Sequence, residues 1–230
     1  MSDVPSLTIL GVGFLLGLRH ALDADHLAAV STVLSERPSM KESGAVGLWW
    51  GIGHTVTLLA IGLVVLTLGI RIPGSFAVAA EGGVGVLLIL LGASLAYRLY
   101  RERWHVHAHH HSGEPHVHFH SHAVYESHGH RHWTTRSIRP LCIGMAHGLA
   151  GSAALMLLIL SSTQDLVQGL MYIVVFGCGS ILGMSAIGLT ISLPVVCSLS
   201  IGRRAFAAMQ GLASVASLFV GLWMLVKLAL

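Results

Sequence analysis

Long stretches without a charged residue are the feature that most constrains the fold of this chain. Four of them occur, at 43–70, 140–164, 166–202 and 205–226. Each exceeds the ~20 apolar residues that cross the hydrocarbon core of a bilayer. Charged residues make up only 10% of the chain, whereas a soluble domain carries about 25%. The sequence therefore predicts an all-α polytopic membrane protein.

The apolar segments predict six transmembrane helices. Their expected ranges are 6–33, 44–69, 76–100, 138–161, 167–192 and 205–229. A polar tract separates the third helix from the fourth. The expected organisation is therefore a first three-helix unit at 1–100, a loop at 101–136 and a second three-helix unit at 137–230.

Basic residues orient the predicted helices. With six spans the two termini share one side, where only Arg71 and Lys227 lie. The loops after the first, third and fifth helices, with the adjoining helix ends, hold most of the other arginines and lysines. The positive-inside rule then places the 101–136 loop in the cytoplasm and both termini outside. Since no basic run occurs outside these loops, nucleic acid is not an expected partner.

The two units resemble each other in sequence. The hexapeptide GLRHAL, which begins at Gly17, matches GMAHGL, which begins at Gly144. The tetrapeptide AIGL occurs at 60–63 and again at 186–189. Three helices is an odd number, so the second unit must enter the membrane from the opposite side. This pattern predicts a 3+3 inverted repeat, with a substrate site near the midplane where the units meet.

The segment RHALDADH, residues 19–26, interrupts the first predicted helix with charge. An ionised residue at the centre of a span costs about 2.5–3.5 kcal/mol. One explanation is that Arg19 and Asp23, one helical turn apart, neutralise each other. That pairing leaves His20, Asp25 and His26 unexplained.

Imidazole and carboxylate groups together favour a divalent transition metal such as nickel, cobalt, zinc or iron. On a regular helix His20, Asp23 and His26 share one face, whereas Asp25 points nearly the other way. Either Asp25 serves another helix, or the helix is unwound so that all four side chains converge. Broken helices are frequent at transporter binding sites, which favours the second alternative.

Two further histidines are candidate ligands in other helices. His54 lies in the second helix, and His147 matches His20 in the repeat. Glycines flank both, which allows close backbone approach; the alternative is that each histidine is an ordinary packed residue. Glu81 is an auxiliary candidate together with Arg19, although a carboxylate in the first turn of a helix at the membrane interface also explains it.

The loop between the units holds twelve of the sixteen histidines. Its Gly, Ser, Pro and Glu content predicts disorder, and imidazoles at this density bind metal loosely. The candidate loop ligands are His105, His107, His109, His110, His111, His116, His118, His120, His122, His128, His130 and His132.

The segment from His20 to His26 matches the pattern H-x4-D-H and resembles the signature of the nickel/cobalt transporter family within the NicO superfamily. Arg19 and the GIGHT stretch at 51–55 also resemble that family. The resemblance implies a permease of the prokaryotic inner membrane, with His20, Asp25 and His26 at the metal and His54 as a further site residue. It also implies handover of metal to cytoplasmic nickel chaperones.

The chain departs from the family pattern in length. The longer uptake permeases of the family have eight spans with the signature in the second, whereas here the signature lies in the first. The stretch GMAHGLAGSAAL is similar to the shorter urease- and hydrogenase-linked branch. A histidine-rich loop also occurs in the efflux branch, so the resemblance leaves uptake and efflux both open.

Other functional classes fit less well. An intramembrane metalloprotease would need HExxH, but alanine follows His20. A thiol-redox carrier would need matched cysteines in the first and fourth helices, and the first has none. Without a P-loop the chain has no ATP site of its own. The expectation is a secondary transporter of Ni²⁺ or Co²⁺ that is not an enzyme and has no catalytic cofactor. Uptake is favoured, because the membrane potential draws cations inward.

Overall fold

The computed structural model describes residues 3–36, 39–70, 72–102, 107–111, 114–118, 133–162 and 165–230. Within these ranges the chain forms seven helices and one short hairpin. The elements are α1 (Asp3–His20), α2 (Ala24–Ser35), α3 (Met40–Leu68), α4 (Gly74–Glu102), β1 (His107–His111), β2 (Glu114–His118), α5 (Trp133–Ser162), α6 (Leu166–Ile201) and α7 (Arg203–Ala229).

Four helices of the described chain are long and apolar enough to cross a membrane. The spans are Glu42–Leu68, Gly74–Arg101, Leu166–Ile201 and Arg203–Ala229. The helix expected at 6–33 is instead divided into α1 and α2. α6 extends beyond the predicted end at 192, because a proline inside a helix removes one backbone hydrogen bond and kinks the helix without necessarily ending it. Pro194 lies within α6.

Glycines set the distances between the packed helices. A Cβ at Gly17 would overlap the Phe176 carbonyl oxygen of α6, and a Cβ at Gly144 would overlap the Trp50 carbonyl oxygen of α3. Backbones that approach this closely leave room for hydrogen only, which is why small residues mark helix contacts in membranes. Helix α1 therefore packs on α6, and α5 packs on α3.

The remaining contacts define the directions of the helices. Near the start of α4, Gly82 lies against Leu228 at the end of α7, whereas Gly92 lies against Ser214 further back in α7. These two helices are therefore antiparallel. Helices α3 and α6 are also antiparallel, since Gly44 contacts Leu189 and Gly177 contacts Thr55. α1 runs parallel to α6, and α5 runs parallel to α3.

The histidine-rich tract contains regular backbone structure where the sequence predicts disorder. β1 and β2 pair antiparallel, with His107 opposite His118 and His109 opposite His116. The rest of the tract lies outside the described residues. The boundaries 1–100, 101–136 and 137–230 therefore stay predictions, as does the disorder of the loop outside the hairpin.

Candidate metal site

The segment RHALDADH lies at a break between two helices. The backbone N–H groups of Leu22 and Asp23 donate to the carbonyl oxygens of Arg19 and His20, three residues earlier, at 2.9 and 3.1 Å. Asp23 is extended, with φ −62° and ψ 146°, and α2 begins at Ala24. Aspartate is unfavourable inside a helix and favourable just before a helix start. Of the two alternatives for this segment, the structure shows the one in which the helix is unwound between His20 and Ala24.

The break brings two histidines together. His20 ends α1 and His26 lies in the first turn of α2, with ring centroids 4.7 Å apart. In a continuous helix six residues separate them by about 9 Å along the axis. The three residues of the break therefore bring the His20 and His26 rings into contact.

Two more helices add a histidine each. The His54 ring of α3 lies 5.0 Å from that of His20 and 5.4 Å from that of His26. The His147 ring of α5 lies 5.2 Å from that of His26. We call these four residues the histidine cluster. One ring nitrogen from each of His20, His26 and His54 lies within 4.8 Å of the others, which is a spacing suited to a metal ion.

The histidine cluster is buried and keeps free nitrogens. His26, His54 and His147 are 2%, 0% and 1% exposed. Within the described chain, Nε2 of His26, Nε2 of His147 and both ring nitrogens of His54 have no hydrogen-bond partner. A buried polar atom without a partner costs about 1–3 kcal/mol. These four nitrogens are the strongest structural indication of a ligand.

The aspartates lie against the histidines rather than against the arginine. Asp23 Oδ2 is 2.8 Å from His20 Nδ1, and Asp25 Oδ1 is 3.2 Å from His26 Nδ1. Among the ion pairs of the described residues none joins Asp23 to Arg19. Neutralisation of Arg19 by Asp23 therefore does not explain the polar segment.

A pocket of about 740 Å³ leads to the histidine cluster. It lies at the end of the bundle where α4 begins and α7 ends, because Glu81, Trp223 and Lys227 line it together with Arg19 and His20. Glu81 is not in the first turn of α4, as the interface explanation requires, but seven residues after Gly74. Its side chain lines the pocket.

Three features of the site were not expected from the sequence. The Trp50 ring packs on His147 at 4.9 Å, and the Phe176 ring packs on His20 at 5.5 Å. Gly151 leaves space beside the site, since a Cβ there would lie 3.4 Å from His20 Nε2. When AIGL at 60–63 is aligned with AIGL at 186–189, Trp50 aligns with Phe176. This match of two aromatic residues is the sequence signal that could have identified both as site residues.

Glu36 is a further residue that sequence patterns did not single out. It follows α2 and accepts hydrogen bonds from Arg98 of α4 and Arg139 of α5. Its side chain is only 5% exposed. The three residues close the end of the bundle opposite the pocket.

The loop histidines stand apart from this site. His107, His109, His110, His111, His116 and His118 lie on the two strands of the hairpin. His105, His120, His122, His128, His130 and His132 lie outside the described residues.

Buried imidazoles at a broken helix, beneath a pocket in a bundle of apolar helices, are typical of membrane proteins that bind transition metals. The chain matches the family NicO, described as high-affinity nickel-transport protein, over residues 6–229. It belongs to this family, and the resemblance seen in the signature is confirmed.

Relatives with reported names support the family assignment. The chain is 35% identical to the urease accessory protein UreH of a Bacillus species over 86% of its own length and 82% of the relative's. It is 44% identical to the nickel transporter NixA of Staphylococcus aureus, over 23% of its length and 18% of the relative's. With the hydrogenase nickel incorporation protein HupN of Bradyrhizobium diazoefficiens it shares 29% identity, over 40% and 26% of the two chains. No solved structure matches the chain significantly.

Proposed function

We propose that this protein is a secondary transporter that carries Ni²⁺ or Co²⁺ through the histidine cluster. The observation that carries the proposal is the set of buried ring nitrogens without partners on His26, His54 and His147. A divalent ion that prefers imidazole would satisfy these nitrogens, and the pocket lined by His20 gives it a route to the cluster. In this proposal the metal is the substrate, and the protein needs no catalytic cofactor.

The proposed architecture is six spans arranged as a 3+3 inverted repeat. α1 with α2 forms the first span and α5 the fourth. Gly17 contacts Phe176 and Gly144 contacts Trp50, so the matched glycines contact the matched aromatic residues. Each helix is also antiparallel to its proposed counterpart, as with α3 and α6 or α4 and α7. Two units related by a two-fold axis in the membrane plane require this reciprocity.

A second pair of glycines supports the same relation. A Cβ at Gly53 would meet the carbonyl oxygen of Leu141, and a Cβ at Gly179 would meet that of Phe14. Gly53 precedes AIGL at 60–63 by the interval at which Gly179 precedes AIGL at 186–189. Leu141 likewise precedes GMAHGL as Phe14 precedes GLRHAL. Reciprocal contacts at four positions favour duplication over chance packing.

We further propose uptake across a prokaryotic inner membrane, with both termini outside. In this orientation the pocket above His20 faces the exterior, and the ion pairs of Glu36 close the cytoplasmic end. Inward movement of a divalent cation gains about 4.6 kcal/mol per 100 mV of membrane potential. The driving force is therefore available without ATP.

The histidine-rich loop then lies where the metal emerges. Hairpin positions such as His107 and His109, opposite His118 and His116, are suited to retain incoming metal before handover to a cytoplasmic nickel chaperone. UreH and HupN carry names linked to urease and hydrogenase, so nickel enzymes are the proposed destination.

Nickel content of cells at trace external metal tests the proposal. Cells that express the protein should accumulate nickel, and His54→Ala should remove the gain. Thr190→Ala is a matched control, because Thr190 is exposed and bonds only to the Ala186 carbonyl oxygen of its own helix in the described structure. Deletion of 105–132 should reduce accumulation without ending it. Lower nickel content with raised nickel tolerance in the expressing cells would contradict uptake and indicate efflux.

A further inference from the structure

The ring nitrogens of the histidine cluster fall into two groups. His20 Nδ1 lies 2.8 Å from Asp23, His26 Nδ1 lies 3.2 Å from Asp25, and His147 Nδ1 lies 3.0 Å from the Ile143 carbonyl oxygen. In each case the neighbour is an oxygen that accepts a hydrogen bond. The opposite nitrogens, Nε2 of His26 and His147, have no partner in the part of the chain that the structure describes.

An acceptor at Nδ1 decides which nitrogen can bind a metal. A neutral imidazole carries one proton, and a carboxylate or carbonyl neighbour retains that proton on Nδ1. The lone pair then lies on Nε2. Histidine ligands of metals usually donate their second N–H to a carboxylate or a backbone carbonyl in this way.

We infer that Asp23 and Asp25 are positioning residues for His20 and His26 and are not themselves ligands. They hold both rings with Nδ1 protonated, so that the metal meets imidazole Nε2 atoms only. The inference rests on the proposed function and revises the role that the family signature implies for Asp25. The role of Ile143 at His147 is the same, with a backbone oxygen in place of a carboxylate.

The backbone supports this division of roles. Asp23 occupies the position before α2, yet its side chain makes no capping hydrogen bond to that helix. Its carboxylate is directed to His20 instead. The helix break therefore places an acceptor beside the ring at the end of α1 rather than a capping hydrogen bond on α2.

An all-imidazole site explains a preference among metals. Nickel, cobalt, copper and zinc bind imidazole well, whereas magnesium, calcium and manganese prefer oxygen ligands. A carboxylate in direct contact with the ion would favour the second group. The Asp23, Asp25 and His26 group also has ligand atoms within 4.8 Å of one another, but Asp25 Oδ1 lies at Nδ1 of His26, so an ion held at Nε2 meets the opposite edge of the ring.

The structure also separates His54 from the other members. Neither of its ring nitrogens has a partner among the described residues, so no acceptor fixes its proton. Loss of a carboxylate should therefore change the position of the ring proton on His20 or His26 and leave that of His54 unchanged. This difference provides an internal reference for the experiment.

The test uses the full-length protein in lipid nanodiscs, with the twelve loop histidines replaced by glutamine so that nickel reports on the membrane site. Nickel K-edge X-ray absorption counts imidazole and carboxylate ligands in the parent protein, Asp25→Asn and His26→Ala. We expect imidazole ligands alone in the parent, the same shell in Asp25→Asn with about 10–100-fold weaker binding, and one imidazole fewer in His26→Ala.

Nitrogen-15 NMR of labelled histidines in the metal-free protein provides a readout that a purely structural role would not change. The parent should show the Nδ1-protonated form of His26, and Asp25→Ala should shift it towards the Nε2-protonated form. Asp25→Glu should restore part of both the NMR signature and the nickel affinity.

The outcomes are distinguishable. A nickel–carboxylate contact in the parent that disappears in Asp25→Asn would make Asp25 a ligand and overturn the inference while leaving the transport proposal intact. An unchanged His26 tautomer in Asp25→Ala would also overturn it. A parent protein that binds no nickel would instead contradict the proposed function.

Discussion

The α1–α2 segment and α5 carry matched hexapeptides but have different shapes. GLRHAL ends in a break after His20, whereas α5 runs unbroken through GMAHGL from Trp133 to Ser162. Both segments pack through a glycine, Gly17 or Gly144, against another helix. The packing surface is thus shared, and the difference lies in the residues that follow the histidine.

Two aspartates account for the break. Asp23 and Asp25 occupy positions at which the α5 segment has Ala150 and Ser152. Alanine is the best helix former, whereas aspartate competes for backbone groups and favours helix starts. The first segment therefore presents two histidines with carboxylate partners, and α5 presents one, His147, bonded to its own backbone. Local sequence therefore decides how many histidines each of the two segments contributes to the cluster.

The same contrast recurs one helix later. His54 in α3 has no hydrogen-bond partner within the described chain, whereas Ser180, at the corresponding position of α6, donates to the Gly17 carbonyl oxygen at 3.3 Å. Three of the four residues of the histidine cluster therefore lie in the first unit, and one lies in the second. Four predictions test this comparison.

The largest effect is expected at the break. His20→Ala and His26→Ala should each reduce nickel accumulation to the background of cells without the protein, because each removes an imidazole from the densest part of the cluster. Radioactive nickel uptake measures the loss, with Thr190→Ala as the control for expression. Near wild-type uptake in either variant would show that the site is not centred on the α1–α2 segment.

A smaller loss is expected in α5. His147→Ala removes one ring of the cluster but leaves the His20, His26 and His54 group intact, so uptake should fall while staying above the background of cells without the protein. The same uptake assay at several nickel concentrations measures it. Complete loss would mean that the two segments contribute equally, contrary to the comparison.

The shared scaffold should respond equally in both segments. Gly17→Ala and Gly144→Ala each force a methyl group onto a carbonyl oxygen of the neighbouring helix, and overpacking of this kind costs about 1–3 kcal/mol. Thermal unfolding in detergent should show similar losses for the two variants. Gly11→Ala is the matched control, because nothing lies within 4 Å of a Cβ at Gly11; unequal losses would contradict a common scaffold.

The smallest effect is expected at Glu36. Glu36→Gln removes the charge that joins α2 to Arg98 and Arg139, but these arginines are 46% and 43% exposed. Solvent screening therefore limits the loss of stability to about 1 kcal/mol. The same unfolding measurement detects it. A loss of several kcal/mol of unfolding free energy would show that the ion pairs of Glu36, rather than glycine packing, hold the end of α2 in place.

The sequence alone determined the class of protein and its family. Stretches without charge are enough to predict apolar helices, because partition into a bilayer depends on local composition. Ionisable residues such as Asp25 and His26 within an apolar segment are enough to predict a metal, since placing them in a membrane is unfavourable without a partner. The H-x4-D-H pattern identified the family for the same local reason.

Only the tertiary structure decided how these residues meet. His54 and His147 reach His26 because glycine contacts bring α3 and α5 close together, and periodicity within one helix carries no information about such contacts. Which ring nitrogen stays free depends on acceptors such as Asp25. The partners of Glu36 come from α4 and α5, far along the chain. Composition fixes where a segment partitions, whereas the geometry of a site assembled from four helices depends on packing between distant residues.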